Sequence, residues 1–247
     1  MLGIEGNLPY AAARVQARHG LLMNEPAWRK LEANRRLGEY LVATRRSALA
    51  LWTGRIEAAH DAHVIERTLR GEWREYVHAV AGWHPREWQD WLDWWSWLPQ
   101  LPLIARLADP EPVPAWMLAD PVCGPIAIGA PAERAAALEH TLLAPLAAAV
   151  RAQTGIGPAW RDEAARRPPP AGEETRAQLA RLMHASAVAT AAAAPATVAS
   201  LLRLFRAGAG SAVASGCHLA LLWLDFERLR GGLVVRSLLG AVRAEAA

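Results

Sequence analysis

Residues 37–52 read LGEYLVATRRSALALW, and this stretch decides the fold class. Its apolar and small residues recur at the i, i+3, i+4 and i+7 spacing that gathers side chains on one face of an α-helix. The residues on this face are Leu37, Tyr40, Leu41, Thr44, Ala48, Leu51 and Trp52. Arg45 and Arg46 fall largely outside it. The helical pattern runs from about Arg35 to Val80 and predicts two or three long amphipathic helices packed as a bundle. We expect the longest helices of the chain in this region.

The composition favours the same fold class. The chain has 247 residues, of which 53% are hydrophobic, so it is long and apolar enough to bury a substantial core. Most of its apolar residues are Ala and Leu, the strongest helix formers, whereas the β-branched and aromatic residues that strands prefer are fewer. We therefore predict an all-α protein built of helical lobes.

Proline-rich and repeated segments suggest how the lobes are arranged. Residues 109–131 are rich in proline and predict a connector between an N-terminal lobe, residues 1–108, and a C-terminal lobe, residues 132–247. A short echo, WLDW at 91–94 and WLDF at 223–226, suggests that the two lobes are similar to each other.

Local signals mark several helix ends. Pro9 is typical of a first-turn proline, and Asn24 followed by Glu25 and Pro26 is typical of a cap and a new helix start. The run Gly208-Ala209-Gly210 predicts a turn between two helices, because it lacks the Lys and Ser/Thr of a phosphate-binding loop.

Charge and cysteine content argue against several function classes. The net charge is +3, and the basic residues are interleaved with acidic ones, so no basic run indicates nucleic-acid binding. Cys123 and Cys217 are isolated, which fits a reducing cytoplasm rather than a disulfide scaffold. Residues 1–7 have no basic region before an apolar core, so we predict no signal peptide.

Six tryptophans lie in residues 83–106, where Pro99 and Pro102 are expected to end the helix. Trp88, Trp91 and Trp95 form one stripe at i, i+3 and i+7. Three interpretations stay open: core packing, a protein interface, or stacking on a ligand. Trp94 and Trp97 lie off the stripe, so we expect both to be exposed.

His60, His63 and Glu66 are weak candidates for a metal site. Their i, i+3, i+6 spacing places two imidazoles and a carboxylate along one helix face. The second histidine is one position short of the HExxH arrangement, and an ordinary polar helix face is the alternative. No nucleophile motif is present, so we predict no catalytic residue, no cofactor and no small-molecule substrate.

Two segments, 183–202 and 207–224, contain no charged residue and are therefore considered as possible membrane-spanning helices. Each has about the length that spans a bilayer. Both are dominated by Ala, Gly, Ser and Thr, which insert weakly, and His184 and His218 lie inside them. We predict helices packed inside the fold. The alternatives are a membrane protein with a helical hairpin at 183–224 and an all-α metal-binding protein or enzyme.

Several segments resemble the d-subunit family of V/A-type (vacuolar/archaeal-type) ATPases. Residues 10–22, YAAARVQARHGLL, resemble the opening helix of that family, and residues 65–70, IERTLR, resemble a helix that pairs an acidic residue with Leu and Arg. Residues 221–230, LLWLDFERLR, followed by Gly231 and Gly232, resemble its late acidic-Leu-Arg helix. Typical members are longer and have three lobes.

The resemblance implies a central-stalk coupling subunit that connects the rotor shaft to the membrane ion-translocating ring of a proton- or ion-transporting ATPase. Such a protein is peripheral, sits at the cytoplasmic face of the inner membrane, and contributes no ATP chemistry. Its partner-binding residues are expected to be aromatic and Arg anchors. The candidates here are Trp94, Trp97, Arg228 and Arg230. Arg228 and Arg230 either lock the lobes together by ion pairs or face the ring.

Overall fold

The computed structural model describes residues 7–187 and 194–245. These residues are mainly helical and contain no strand, which confirms the all-α prediction. The α-helices are, in chain order, α1 (Leu8–His19), α2 (Glu25–Glu32), α3 (Leu37–Arg45), α4 (Ala50–Thr53), α5 (Ala62–Gly82), α6 (Arg86–Asp93), α7 (Leu101–Ala108), α8 (Gly124–Ala127), α9 (Pro131–Glu139), α10 (Ala144–Arg151), α11 (Ile156–Arg166), α12 (Glu173–Ala187), α13 (Ala194–Ala207) and α14 (Ala212–Glu245). Two 3-10 helices in the described residues are Trp94–Gln100 and Ala115–Ala119.

Helix α14 forms the centre of the fold. It packs against α1, α3, α5, α6, α12 and α13, and residues 212–220 are all buried. Helices α7, α9, α10 and α11 pack against one another as a second group, which joins the first through contacts of α11 with α12 and of the 3-10 helix Trp94–Gln100 with α5. The hydrophobic segment near the C terminus is therefore a central helix, covered on all sides over its first turns.

The buried apolar residues form one continuous cluster. It contains Val15 and Leu41 from the predicted N-terminal lobe and Leu201 and Leu229 from the predicted C-terminal lobe. The two-lobe arrangement is not confirmed, because α14 packs against helices from both halves of the chain. The lobe boundaries stay a prediction.

The prediction that the longest helices lie between Arg35 and Val80 is wrong. This stretch is divided into α3, α4 and α5, and the longest described helix is α14, with 34 residues. Helix α3 ends where the hydroxyl of Ser47 donates to the carbonyl of Thr44 and accepts from the amide of Leu49. Such side-chain bonds compete with the helical ladder and favour a turn.

The local helix-start signals are confirmed. Pro9 lies in the first turn of α1, and Asn24 caps α2 by accepting the amide of Ala27 at 2.9 Å. Asn7, which the sequence analysis does not single out, caps α1 by accepting the amide of Tyr10 at 2.9 Å. The predicted turn at residues 208–210 separates α13 from α14, and Gly210 adopts φ +85°, a conformation that favours glycine.

The second charge-free segment packs inside the fold, whereas the first is buried only on one side where it is described, with His184, Ala196 and Ala199 exposed. Met183 and Ala185 of α12 are buried, as are Leu201 of α13 and residues 212–221 of α14. Residues 188–193 of the first segment lie outside the described residues. Within the described ranges, no helix combines the length and apolar character that crossing a membrane requires.

Gly216 shows why small residues are needed in α14. A Cβ atom at this position would lie 2.5 Å from Cη2 of Trp91 and 2.7 Å from Cδ2 of Leu182. Trp91 and Leu182 are both fully buried, so neither side chain has room to move away. The absence of a side chain at Gly216 lets α6 and α12 approach α14 closely.

We expect Gly216→Ala to lower the free energy of unfolding by about 1–3 kcal/mol, because the added methyl group overpacks the core. Gly231→Ala is the matched control, since Gly231 is exposed in the same helix and an added Cβ meets no atom within 4 Å. That substitution should stabilise the protein by about 0.5–1 kcal/mol through helix propensity. Urea denaturation of both variants measures the difference, and equal effects would show that the close approach at Gly216 is absent.

Candidate interaction surface

The tryptophan-dense segment belongs mostly to the core. Trp91 and Trp95 are fully buried and meet edge to face, with ring centroids 6.5 Å apart. Trp88 is half-buried and packs against Trp91 at 5.7 Å. The segment is α-helical only to Asp93, and Pro102 opens α7 instead of ending a helix. Core packing therefore explains the stripe better than a ligand surface does.

The expectation that Trp94 is exposed is wrong. Its side chain is 1% exposed, and its indole N–H donates to the carbonyl of Trp160 at 3.0 Å while Trp160 donates to the carbonyl of Trp94 at 3.3 Å. Trp94 does lie off the stripe, but α11 and the residue after it cover the face on which it lies: Trp160 is its hydrogen-bond partner, and the guanidinium of Arg167 lies 3.9 Å from its ring. The helical projection gives the face of Trp94 but does not show that a second helix buries this face. Trp97 is half-buried, and the guanidinium of Arg74 lies 5.3 Å from its ring.

Arg228 fastens α2 to α14. Its Nε lies 2.6 Å from Oε1 of Glu32, its Nη1 lies 2.7 Å from Oε2 of Glu25, and its guanidinium covers the ring of Trp28 at 4.8 Å. Asp225, one turn earlier, accepts the indole N–H of Trp28 at 3.0 Å. Of the two alternatives for Arg228, this geometry corresponds to locking by ion pairs.

Arg230 lies on another face of α14 and connects it to α5. Its Nη1 is 3.7 Å from Oε2 of Glu66, and its Nε is 3.3 Å from Oε1 of Glu227 in the same helix. The partner-binding roles of Arg228, Arg230, Trp94 and Trp97 stay predictions.

The three weak metal candidates do not converge. Helix α5 begins at Ala62 with Asp61 as its cap, so His60 lies outside the helix and its Nδ1 accepts the amide of Glu57 at 3.1 Å. His63 stacks on Trp116, with ring centroids 5.0 Å apart. In the described part of the chain, no group of three His, Cys, Asp or Glu side chains is placed to hold a metal.

A buried polar layer joins α14 to α5 and to the start of α6. The hydroxyl of Tyr76 lies 2.7 Å from Nε2 of His218, and Oγ of Ser215 lies 2.8 Å from Nε2 of His84. All four side chains are buried. Each histidine thus has a hydroxyl partner at Nε2, while its buried Nδ1 has no partner among the described residues. A neutral imidazole fits this layer without placing a charge in the core.

Burial holds both histidines in the neutral form. Burial, together with the smaller effects of the nearby His19 and Arg18, lowers the pKa of His218 to about 3. Burial alone lowers the pKa of His84 to about 4. Because both values lie well below the ordinary histidine range, the folded chain binds fewer protons than the unfolded chain in mildly acidic solution.

We expect the free energy of unfolding to fall as the pH drops from about 6.5 toward 4. In this range the histidines become protonated in the unfolded state but stay neutral while they are buried in the folded state. Burial raises the pKa of Asp225 and Glu227, which opposes this trend. The variant His218→Gln isolates the contribution of His218, since an amide still pairs with Tyr76 but does not titrate. Between pH 7 and pH 5 the wild type should lose more stability in urea titrations than the variant. Parallel losses would contradict a neutral buried His218.

The end of α14 carries an apolar stripe that no described element covers. Leu233 is the last residue of α14 described as buried, and beyond it Val235, Leu238, Leu239 and Val242 are 52–62% exposed. We call these four residues the terminal stripe. They are spaced i, i+3, i+4 and i+7, so they share one helix face. A contiguous exposed apolar face of this kind is typical of a protein interface.

No protein-family model, curated protein or solved structure significantly matches this chain. Its function is therefore argued from its own residues.

The terminal stripe is absent from the candidates predicted from sequence, although its spacing is readable in residues 231–245. Periodicity predicts an apolar helix face but does not distinguish a face covered by the core from one left exposed. The difference is set by tertiary packing. Beyond Leu233, α14 still bonds through Arg236 and Ser237 to the backbone of Asn34 and His60, but no described element covers the face of the terminal stripe.

Proposed function

We propose that this chain is a central-stalk coupling subunit of a V/A-type rotary ATPase, connecting the rotor shaft to the membrane ion-translocating ring. The observation that carries the proposal is α14, a single helix of 34 residues whose first half lies in the core and whose end bears the terminal stripe. At 1.5 Å per residue this helix is about 51 Å long. One stiff element thus leads from the core to an exposed apolar face.

The anchoring of α14 suits a part that transmits force. Arg228 joins it to Glu25 and Glu32, and Arg236 donates to the backbone carbonyls of Asn34 and Glu32. Torque applied at the terminal stripe therefore passes into α2 through several directed bonds instead of bending α14 alone.

The family resemblance adds a second line of support. Its N-terminal segment, residues 10–22, and its late segment, residues 221–230, belong largely to α1 and α14, which pack against each other. The two islands of resemblance thus lie on neighbouring helices, although they stand at opposite ends of the sequence.

The reactive side chains of the core also favour a role without catalysis. Cys123, Cys217 and His218 are at most 2% exposed, so a substrate in solution does not reach them in this conformation. Burial raises the pKa of both thiols to about 12, which keeps them in the unreactive protonated form. We propose a peripheral protein at the cytoplasmic face of the inner membrane, with rotor-shaft and ring subunits as its partners.

Co-purification tests this function. A tagged chain expressed in its native host and extracted in mild detergent should bring down rotor-shaft and ring subunits. Leu238→Glu combined with Leu239→Glu should reduce their recovery at least tenfold while leaving the melting temperature nearly unchanged, since both side chains are more than half exposed. The control is Ile128→Glu, at a residue 77% exposed elsewhere, which should leave both readouts unchanged.

The outcomes distinguish a wrong function from a wrong contact surface. If the wild-type chain recovers no rotary ATPase subunit, the proposed function is wrong. If it recovers them and the double variant does so equally well, the function stands and the terminal stripe is not the contact.

A further inference from the structure

We propose that the groove between α2 and α3 is a docking site for an acidic amphipathic helix of a partner protein. This inference does not depend on the rotary ATPase assignment. The groove encloses about 750 Å³ and is open to solvent along both helices. Helix α3 has nine residues, so the groove runs for about 13 Å, the length of roughly two helical turns.

The floor of the groove is apolar and has room for a packed helix. It is formed by Met23, Ala27, Leu31, Val42 and Ala43. Leu31 is buried at the base, whereas Val42 is 48% exposed and faces no covering element in the described chain. The small side chains of Ala27 and Ala43 let another helix approach closely, which suits the helix-in-groove mode of peptide recognition.

The rim of the groove is cationic. Lys30 and Arg46 line it, and Arg35 and Arg36 lie in the connection between α2 and α3. All four are exposed, and none has an ion-pair partner among the described residues. Glu39 is the one acidic residue in the described ranges that lines the groove.

The ion pairs between α2 and α14 explain why the cationic residues of the rim have no acidic partner among the described residues. Glu25 and Glu32, the acidic residues of α2, are engaged by Arg228 on the other side of the helix. Hydrogen bonds from Arg228 lower the pKa of Glu25, so this carboxylate is held in its charged form beside the arginine. The acidic groups of α2 therefore neutralise the charge of Arg228 in α14 and not the positive charges at the rim of the groove.

The apolar floor and the cationic rim together indicate which kind of ligand fits the groove. A helix with a leucine face would fill the floor, and acidic residues flanking that face would meet Lys30 and Arg46. Complementary charge of this kind accelerates encounter and selects among partners. Nucleic acid or an anionic lipid surface matches the rim but leaves the apolar floor unfilled.

Binding of a designed peptide to the full-length chain tests the groove. The probe is a fluorescein-labelled 15-residue helical peptide with leucines at i, i+3, i+4 and i+7 and glutamates at the flanking positions. A second peptide keeps the leucines and replaces each glutamate by lysine. At low ionic strength, fluorescence anisotropy should show micromolar affinity for the acidic peptide and at least tenfold weaker binding of the basic one. High salt should weaken the acidic complex, because rim charges are exposed.

Variants locate the site. Lys30→Glu with Arg46→Glu should weaken acidic-peptide binding at least tenfold. Val42→Asp should weaken it as much, because it places a charge on the apolar floor of the groove. The control is Arg86→Glu with Arg176→Glu, which makes the same change in net charge at two residues outside the groove and should bind like the wild type. Circular dichroism checks that each variant is folded.

Three results would overturn the proposal: no binding of the acidic peptide, binding that the groove variants leave unchanged, or equal binding of the acidic and basic peptides. Parallel titrations with single-stranded DNA and with anionic vesicles complete the test. Binding of either one without binding of the acidic peptide would assign the rim to that ligand and reject the helix.

Discussion

Replacement of Trp94 by alanine is expected to lower the free energy of unfolding by about 3–5 kcal/mol, the range for deleting a buried tryptophan. The indole is 1% exposed, lies under the guanidinium of Arg167 at 3.9 Å, and donates to the carbonyl of Trp160. Alanine would leave a cavity where the 3-10 helix meets α11 and would leave that carbonyl without its donor. Urea denaturation followed by circular dichroism measures the loss.

Trp97→Ala is the matched control, since Trp97 stands three residues later in the same 3-10 helix but is only half-buried. We expect it to lower stability clearly less than Trp94→Ala does. Trp94→Phe, which keeps most of the apolar volume and loses the indole N–H, should fall between wild type and Trp94→Ala. If Trp94→Ala and Trp97→Ala have equal effects, Trp94 is not the buried member of the pair.

The sequence predicts the helical class and several helix starts because these depend on neighbouring residues. Pro9 lies in the first turn of α1, and Asn24 caps α2 through a bond to an amide only three residues away, so both signals are visible without a structure. Leu37, Tyr40, Leu41 and Thr44 are all buried on one face of α3, as their spacing predicts. Beyond Thr44 the face is broken by a turn, and Ala48 and Leu51 of the predicted face are exposed.

Prediction fails where a distant helix covers a second face of the segment. Projecting the segment from Trp88 to Trp95 as one α-helix places Trp94 off the stripe, about 100° from Trp95. Trp94 is nevertheless buried, because Trp160 of α11 and Arg167 lie against that face. Trp94 and Trp160 are 66 positions apart, so no local pattern reveals this contact.

The candidate surfaces depend on contacts between distant residues. Arg228 and Glu25 are 203 positions apart, and only their pairing in the fold reveals that α2 contributes no free acid to the α2–α3 groove. The terminal stripe has the same spacing as a core-facing stripe. Its exposure arises because no described element covers this face of α14 beyond Leu233, which no local pattern reveals.

Removal of the Asp120 carboxylate is expected to cost about 3–5 kcal/mol, because it leaves a buried guanidinium without its closest counterion. The side chains of Arg70 and Asp120 are 5% and 2% exposed, and Nη2 of Arg70 lies 2.9 Å from Oδ2 of Asp120. Oδ1 accepts the amides of Val122 and Cys123, so the same carboxylate orders the proline-rich connector. Glu66, 3.5 Å from Arg70, compensates only part of the charge, because it also pairs with Arg230.

The size and origin of this effect are separable by a double variant. Asp120→Ala should destabilise strongly, whereas Asp90→Ala, which removes a carboxylate 72% exposed in an ion pair with Arg167, should change the melting temperature little. Arg70→Met combined with Asp120→Ala should be more stable than Asp120→Ala alone, because it also removes the stranded charge. If the double variant is no more stable than Asp120→Ala, the whole loss of stability comes from the lost hydrogen bonds to the amides of the connector. The buried ion pair would then contribute nothing to the attachment of residues 109–131 to α5.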